Sequence, residues 1–184
     1  MKVPFDQIKE HEEKCIWRLV CCPDVTCKAM IPFCSVRDHV EGCSAGNKLR
    51  ELSGKTLGKK INISKATVDA GKDYVWHTAV VRIKGQLFFL RIVKRNRTYM
   101  CDVVMEGTKE DCKDYIVKAS VVNMETGQLV YEDTFPPKPL NDQKEGICGL
   151  AVPEGAISEL WQFDIAGDVY SIGFNLEIKK TGNF

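Results

Sequence analysis

Residues 21–43 read CCPDVTCKAMIPFCSVRDHVEGC and carry five cysteines and one histidine in 23 positions. Thiolate and imidazole are the donors that hold a tetrahedral zinc. Four donors close the coordination sphere, so two of these six are spare. His39 and Cys43 stand four apart, which on a helix places both on one face within reach of one ion. The other two ligands must come from a cysteine pair on a tight knuckle, where Pro23 and Asp24 are turn formers. Cys22-x4-Cys27 puts the Cys-Pro step at the knuckle and is preferred; Cys21-x5-Cys27 is the alternative. The expected site is Cys22, Cys27, His39 and Cys43 around one structural Zn2+, with no open position for catalysis.

An internal repeat supports this choice. Residues 3–15, VPFDQIKEHEEKC, align with residues 31–43, IPFCSVRDHVEGC, at an offset of 28. Cys34 falls opposite Asp6, so it is not a repeated position and reads as a spare thiol. In the first copy only His11 and Cys15 are present, so residues 1–15 read as the C-terminal half of a truncated finger. Residues 16–46 are the complete finger. Metal binding supplies the folding energy of so small a module. Cys43→Ser is therefore expected to unfold residues 16–46 and to leave the rest of the chain intact.

The elements beyond the finger follow a different period. Residues 47–59 read as a linker, or a short helix, and residues 60–181 as one domain. In YSIGFNLEI (170–178), Ile172, Phe174, Leu176 and Ile178 alternate with polar or small residues, the pattern of a half-buried strand. HTAVVRI (77–83) and QLFFLRIV (86–93) flank Lys84-Gly85, a two-residue hairpin signal. TYMCDVVME (98–106), DYIVKASVVNM (114–124), QLVYEDTF (128–135) and ICGLAVP (147–153) read as further strands. FPPKPLND (135–142) reads as an irregular crossing loop, and only EGAISELWQF (154–163) as helix. The predicted class is mainly β: an antiparallel eight-stranded sandwich preceded by a zinc finger.

The totals exclude several classes. The net charge of +1 gives no global pull toward nucleic acid or membrane. Apolar runs are too short for a membrane-spanning helix, and the N-terminus lacks the apolar core of a secretory signal. The expected location is cytoplasmic or nuclear, where the scattered Cys101, Cys112 and Cys148 stay reduced. Arg82, Lys84, Arg91, Lys94, Arg95 and Arg97 form a basic cluster that reads as a solvated hairpin face rather than a nucleic-acid surface. His77 is the only histidine beyond the finger, and no catalytic constellation accompanies it.

The finger of CCPDVTCKAMIPFCSVRDHVEGC, the half-finger before it and the sandwich pattern after it resemble the seven-in-absentia ubiquitin ligases. The likeness spans nearly the whole chain. KINI (60–63), KDYVW (72–76), QLFFLRIVKR and GLAVPEGAISELWQFDIAGDVYSIGFNLEI resemble successive parts of that family's TRAF-like sandwich. The knuckle here is shorter than the family's usual six residues. The resemblance implies a region that recognises substrates or adaptors as extended degron peptides and forms a homodimer. A RING finger recruits the ubiquitin-conjugating enzyme in that family. These 184 residues contain none, so they are expected to be inactive alone. The alternative is a TRAF-type signalling adaptor without ligase activity. The family's Asp-Trp-Val-Met stretch on the peptide groove corresponds to Asp73, Tyr74, Val75 and Trp76. Tyr74 and Trp76, two apart on a strand, share one face: if it is outward they form one pocket wall and Trp76→Ala costs peptide affinity but little stability, and if the aromatics of this edge strand pack inward Trp76 is a core residue.

Overall fold

The computed structural model describes residues 8–24, 27–43, 50–51, 56–64, 73–76, 79–123, 126–140, 142, 149–158, 162–163 and 169–181. The chain is mainly β, with antiparallel sheets. Its first part holds helix α1 (Ile8–Lys14), the hairpin β1 (Leu19–Cys21) and β2 (Met30–Pro32), and helix α2 (Val36–Gly42). The two helices sit 28 residues apart at both ends, so the sequence repeat is also a structural one.

One sheet is built around β14 (Val169–Lys180). It pairs antiparallel with β4 (Thr56–Ser64) along one edge. Along the other edge it pairs with β9 (Tyr115–Val122) and with the two-residue β13 (Gln162–Phe163). β10 (Leu129–Phe135) then pairs with β9. The second sheet centres on β7 (Gln86–Arg95) and β8 (Thr98–Met105), which pair from Phe88 opposite Met105 to Arg95 opposite Thr98. β5 (Tyr74–Val75) and β6 (Ala79–Ile83) share the far edge of β7. β11 (Lys138–Pro139) and β12 (Leu150–Pro153) share the far edge of β8. β3 (Arg50–Glu51) pairs parallel with β6.

Alternation decides what fills the space between the sheets. Ile172, Phe174, Leu176 and Ile178 of β14 are buried against Phe88, Leu90 and Ile92 of β7 and Tyr99, Cys101, Val103 and Met105 of β8. The turns follow the expected chemistry. Lys84-Gly85 and Asn96-Arg97 all have positive φ (50°, 81°, 46° and 59°), the two-residue turn that matches strand twist.

Several sequence expectations are corrected. The stretch read as linker contains β3, and β4 starts at Thr56, because Leu57 and Ile61 extend the buried face of that strand. Of the helix expected over 154–163, Glu154–Ser158 (α4) is helix, residues 159–161 lie outside the described residues, and Gln162–Phe163 pairs with β14 as strand. In the proline-rich segment, Lys138–Pro139 joins β8 as a short parallel strand. Helix α3 (Lys109–Lys113) was not foreseen. Its signal is local: Thr108 caps the Asp111 N–H, and the Asp111 carboxylate accepts from the Thr108 N–H. Of the strand expected over 147–153, Leu150–Pro153 is strand, while Cys148 lies outside the described residues. His77 also lies outside them.

The basic cluster is not one solvated face. Arg91 is buried and donates to Asp102, with Nε 2.8 Å from Oδ1. Lys94 is fully buried, with Nζ 2.6 Å from Glu154 Oε1. Strand β7 runs between two packed layers, so its basic residues need buried partners.

That second layer is the finger. Val20, Ile31, Val36 and Val40 form one buried cluster with Val80, Leu87, Phe89, Val104 and Leu140 of the second sheet's outer face. Two ion pairs flank it. Arg37 Nε donates to both Glu106 oxygens at 2.9 and 3.0 Å, and Arg82 Nη2 to Glu41 Oε1 at 2.8 Å. The finger is therefore docked on the sandwich, not appended to it.

Candidate metal centre

The hairpin and α2 converge on one point. β1 ends at Cys21 and delivers Cys22 to the knuckle, where the Cys22 N–H donates to Ala29 O at 2.7 Å. The Cys27 N–H donates to Asp24 O at 3.1 Å and closes the turn. Lys28 takes a left-handed φ of 54°, the conformation that turns the chain back into β2. A tight 3-10 turn, Phe33–Ser35, then leads into α2, which carries His39 in its last turn and is followed directly by Cys43.

The donor atoms of Cys22, Cys27, His39 and Cys43 all lie within 4.8 Å of one another. Cys27 Sγ is 3.4 Å from His39 Nε2. A tetrahedral ion with bonds of 2.0–2.3 Å holds its donors roughly 3.5–3.8 Å apart, so the spacing suits one ion with a small contraction. Three sulfurs and one imidazole could hold a metal ion and are a poor set for hard, oxygen-seeking cations. An ion held through Nε2 of His39 would leave the imidazole proton on Nδ1.

Electrostatics differ between the two knuckle thiols. Burial pushes the Cys22 thiol up to about 12. The Ala29 N–H, which points at the Cys27 sulfur, holds that thiol below its ordinary value by favouring the thiolate.

The sequence left Cys21 and Cys22 as alternatives, and strand alternation separates them. Val20 faces the docking core, which turns Leu19 and Cys21 outward and leaves Cys22 to curl into the site. Cys21 is exposed and outside the four-donor group. Cys34 is also exposed and outside it, with Sγ 3.9 Å from Ser35 Oγ.

The four residues of the expected peptide groove divide. Asp73 accepts from the Asn96 N–H at 3.1 Å and fixes the β5 strand to the β7–β8 turn. Tyr74 and Val75 are exposed, at 44% and 41%. Trp76 is 9% exposed and belongs to the main core, with its ring centroid 6.1 Å from that of Tyr99. Tyr74 and Trp76 do share a face, with centroids 4.8 Å apart, but only the Tyr74 end reaches solvent. Trp76 as an outward anchor is thus corrected, because the face it shares with Tyr74 is the sandwich interior. The sequence reasoning also missed the clasp formed by Arg37, Glu41, Arg82 and Glu106, whose partners lie 41 to 69 residues apart.

No family model matches this chain, and no curated protein matches it. Among the described residues, no helix is long and apolar enough to cross a membrane.

Proposed function

We propose that this chain is the substrate- or adaptor-recognition region of a seven-in-absentia-like ubiquitin ligase, with a TRAF-like sandwich and one structural zinc at Cys22, Cys27, His39 and Cys43. It takes extended degron peptides along the β5 edge and acts as a homodimer, with the conjugating enzyme recruited by a RING outside these residues. The supporting observation is a Cys3His finger seated on the outer face of an antiparallel sandwich whose same sheet carries a short exposed edge strand.

The edge carries its own polarity. The Trp76 N–H donates to Ile92 O at 3.1 Å, so Trp76 and Tyr74 direct their backbone groups toward β7. By alternation the Val75 N–H and C=O point away from β7, and no described strand pairs with β5 on that side. An incoming extended peptide finds there both main-chain partners and the Tyr74 ring.

The test is a screen of extended peptides against the purified chain, repeated with Val75→Pro and Tyr74→Ala. Proline removes the outward N–H without touching a β7 hydrogen bond. Both variants are expected to keep their melting temperature and to lose peptide affinity, by about tenfold or more. Peptide binding unchanged by Val75→Pro would place the recognition surface elsewhere.

A further inference from the structure

The proline-rich crossing segment borders a hollow that neither the metal centre nor the β5 edge uses. Phe135 ends β10, Pro136 and Pro137 follow, and Lys138–Pro139 pairs with Val104–Met105 as β11. Helix α3 packs against β11 and buries Cys112. Between them lies a cleft of about 370 Å3. Small-molecule sites run from roughly 300 to 1,000 Å3, so the space suits a compact ligand. Among the described residues its apolar walls are Cys112, Phe135, Pro136, Pro137, Pro139 and Gly149.

These walls are held apart. Each proline lacks an N–H and keeps the residue before it extended, so the segment does not coil into the space. The Leu140 N–H donates to Met105 O at 3.0 Å and ties the far end of the segment to β8. Helix α3 is fixed at both ends. The Thr108–Asp111 capping box sets its start, and the Thr181 N–H donates to Asp114 O at 2.7 Å just past its last residue. Gly149 presents bare backbone, because a Cβ there would collide with Cys101 O. Proline, cysteine and glycine have few rotamers to lose, so filling this cleft costs little ordering entropy.

The rim is cationic. Lys109, Lys113 and Lys138 border the cleft against one carboxylate, that of Asp142. Lys109, Cys112 and Lys113 stand three and four apart, so one face of α3 supplies both an apolar wall and ammonium groups. Lys113 is held by Glu110, with Nζ 2.7 Å from Oε1. Lys109 is exposed and makes no ion pair among the described residues. Burial pushes the Cys112 thiol up to about 12, so it stays neutral and serves as wall rather than nucleophile.

We propose that this cleft binds a small aryl carboxylate, its ring system seated against Phe135 and the prolines and its carboxylate at Lys109. Flat rings gain contact and aromatic attraction at such walls. A rigid planar body also loses less freedom on entry than a flexible chain does. The site lies between α3 and β11 and is independent of peptide recognition at the β5 edge.

Two-dimensional amide NMR of the full 184-residue chain, titrated with naphthoate, is the test. Saturable shifts are expected in α3 and in the Phe135–Leu140 segment, with a dissociation constant below about 1 mM. Naphthylmethanol keeps the rings and drops the charge, and decanoate keeps the charge and drops the rings. Each is expected to bind at least about tenfold more weakly. Lys109→Glu places a carboxylate in the first turn of α3, where the helix tolerates it. It is expected to cut naphthoate affinity at least about tenfold, to leave naphthylmethanol binding unchanged and to keep the melting temperature. Phe135→Ala, checked for its native amide spectrum because Phe135 also packs on the main core, is expected to weaken both ring ligands. Absence of saturable shifts, shifts confined to other parts of the chain, or naphthoate affinity indifferent to Lys109→Glu overturns the inference. Decanoate binding as tightly as naphthoate overturns the aryl assignment.

Discussion

Cys22 and Cys21 are neighbours with opposite fates, and the difference is a prediction at the residue scale. Cys22 is buried and its sulfur joins the four-donor group, whereas Cys21 faces solvent. Cys22→Ser is expected to abolish retention of the proposed zinc, and Cys21→Ser and Cys34→Ser to leave it intact, as read by elemental analysis. A second residue-scale prediction concerns alkaline pH. Burial, helped by Asp111 and Asp142, pushes the Cys112 thiol from 9.0 up to about 12. A raised thiol stabilises the folded state below its unfolded value, and that contribution is lost as pH rises through the folded value. Stability should therefore fall between about pH 9 and 12, and Cys112→Ala should flatten part of that fall in chemical denaturation. The Tyr99 hydroxyl, also pushed up by burial and then by Glu154, accounts for part of the remainder.

Among the elements, α4 is held by its first residue. The Glu154 N–H donates to Arg97 O at 2.8 Å, and its carboxylate meets Lys94 Nζ at 2.6 Å beneath the helix. Lys94 also lies 5.9 Å from the Tyr99 ring centroid, on the strand that pairs with β5. Glu154→Gln leaves a buried ammonium without its counter-charge, a loss of about 3 kcal/mol or more in equilibrium unfolding. Replacing Lys94 and Glu154 together by Met and Leu should recover most of it, since the cost belongs to the stranded charge. Equal damage from the single and double variants would mean that packing, not charge, holds α4. Much of this scale was legible beforehand. The turn at Lys84-Gly85 and the alternation in β14 are local patterns, and they formed as read. The extent of β4 was not, because glycine and lysines obscure a strand whose apolar residues number only a few.

At the scale of the molecule, the finger and the sandwich share a core. Leu87, Phe89 and Val104 are fully or almost fully buried only because Val20, Ile31, Val36 and Val40 cover the outer face of their sheet. Removing the metal is therefore expected to expose that face and destabilise the sandwich, rather than unfold residues 16–46 alone. Stripping zinc with a chelator should lower the sandwich melting temperature by several degrees, read by near-ultraviolet signals of Trp76 and Tyr99. An unchanged sandwich transition would show the finger to be an independent appendage. Trp76→Ala belongs to the same scale. Its ring sits in the main core, so the expected cost is about 3–5 kcal/mol of stability.

What the sequence determined by itself was local: ligand types at helical and knuckle spacing, alternation at period two, and turn residues whose backbone preferences act over a few positions. Cys27, His39 and Cys43 were legible because a helix and a turn fix their geometry within 17 residues. The sequence preferred Cys22 to Cys21 on the Cys-Pro step, and the tertiary structure excluded Cys21, since that depends on which face of β1 meets the sheet. The tertiary structure also decided that Arg91 and Lys94 are buried, that Trp76 points inward, and that Arg37 reaches Glu106. Each of these depends on a second layer packed from a distant part of the chain. Period-two alternation marks the two faces of a strand, but it does not say that both are covered.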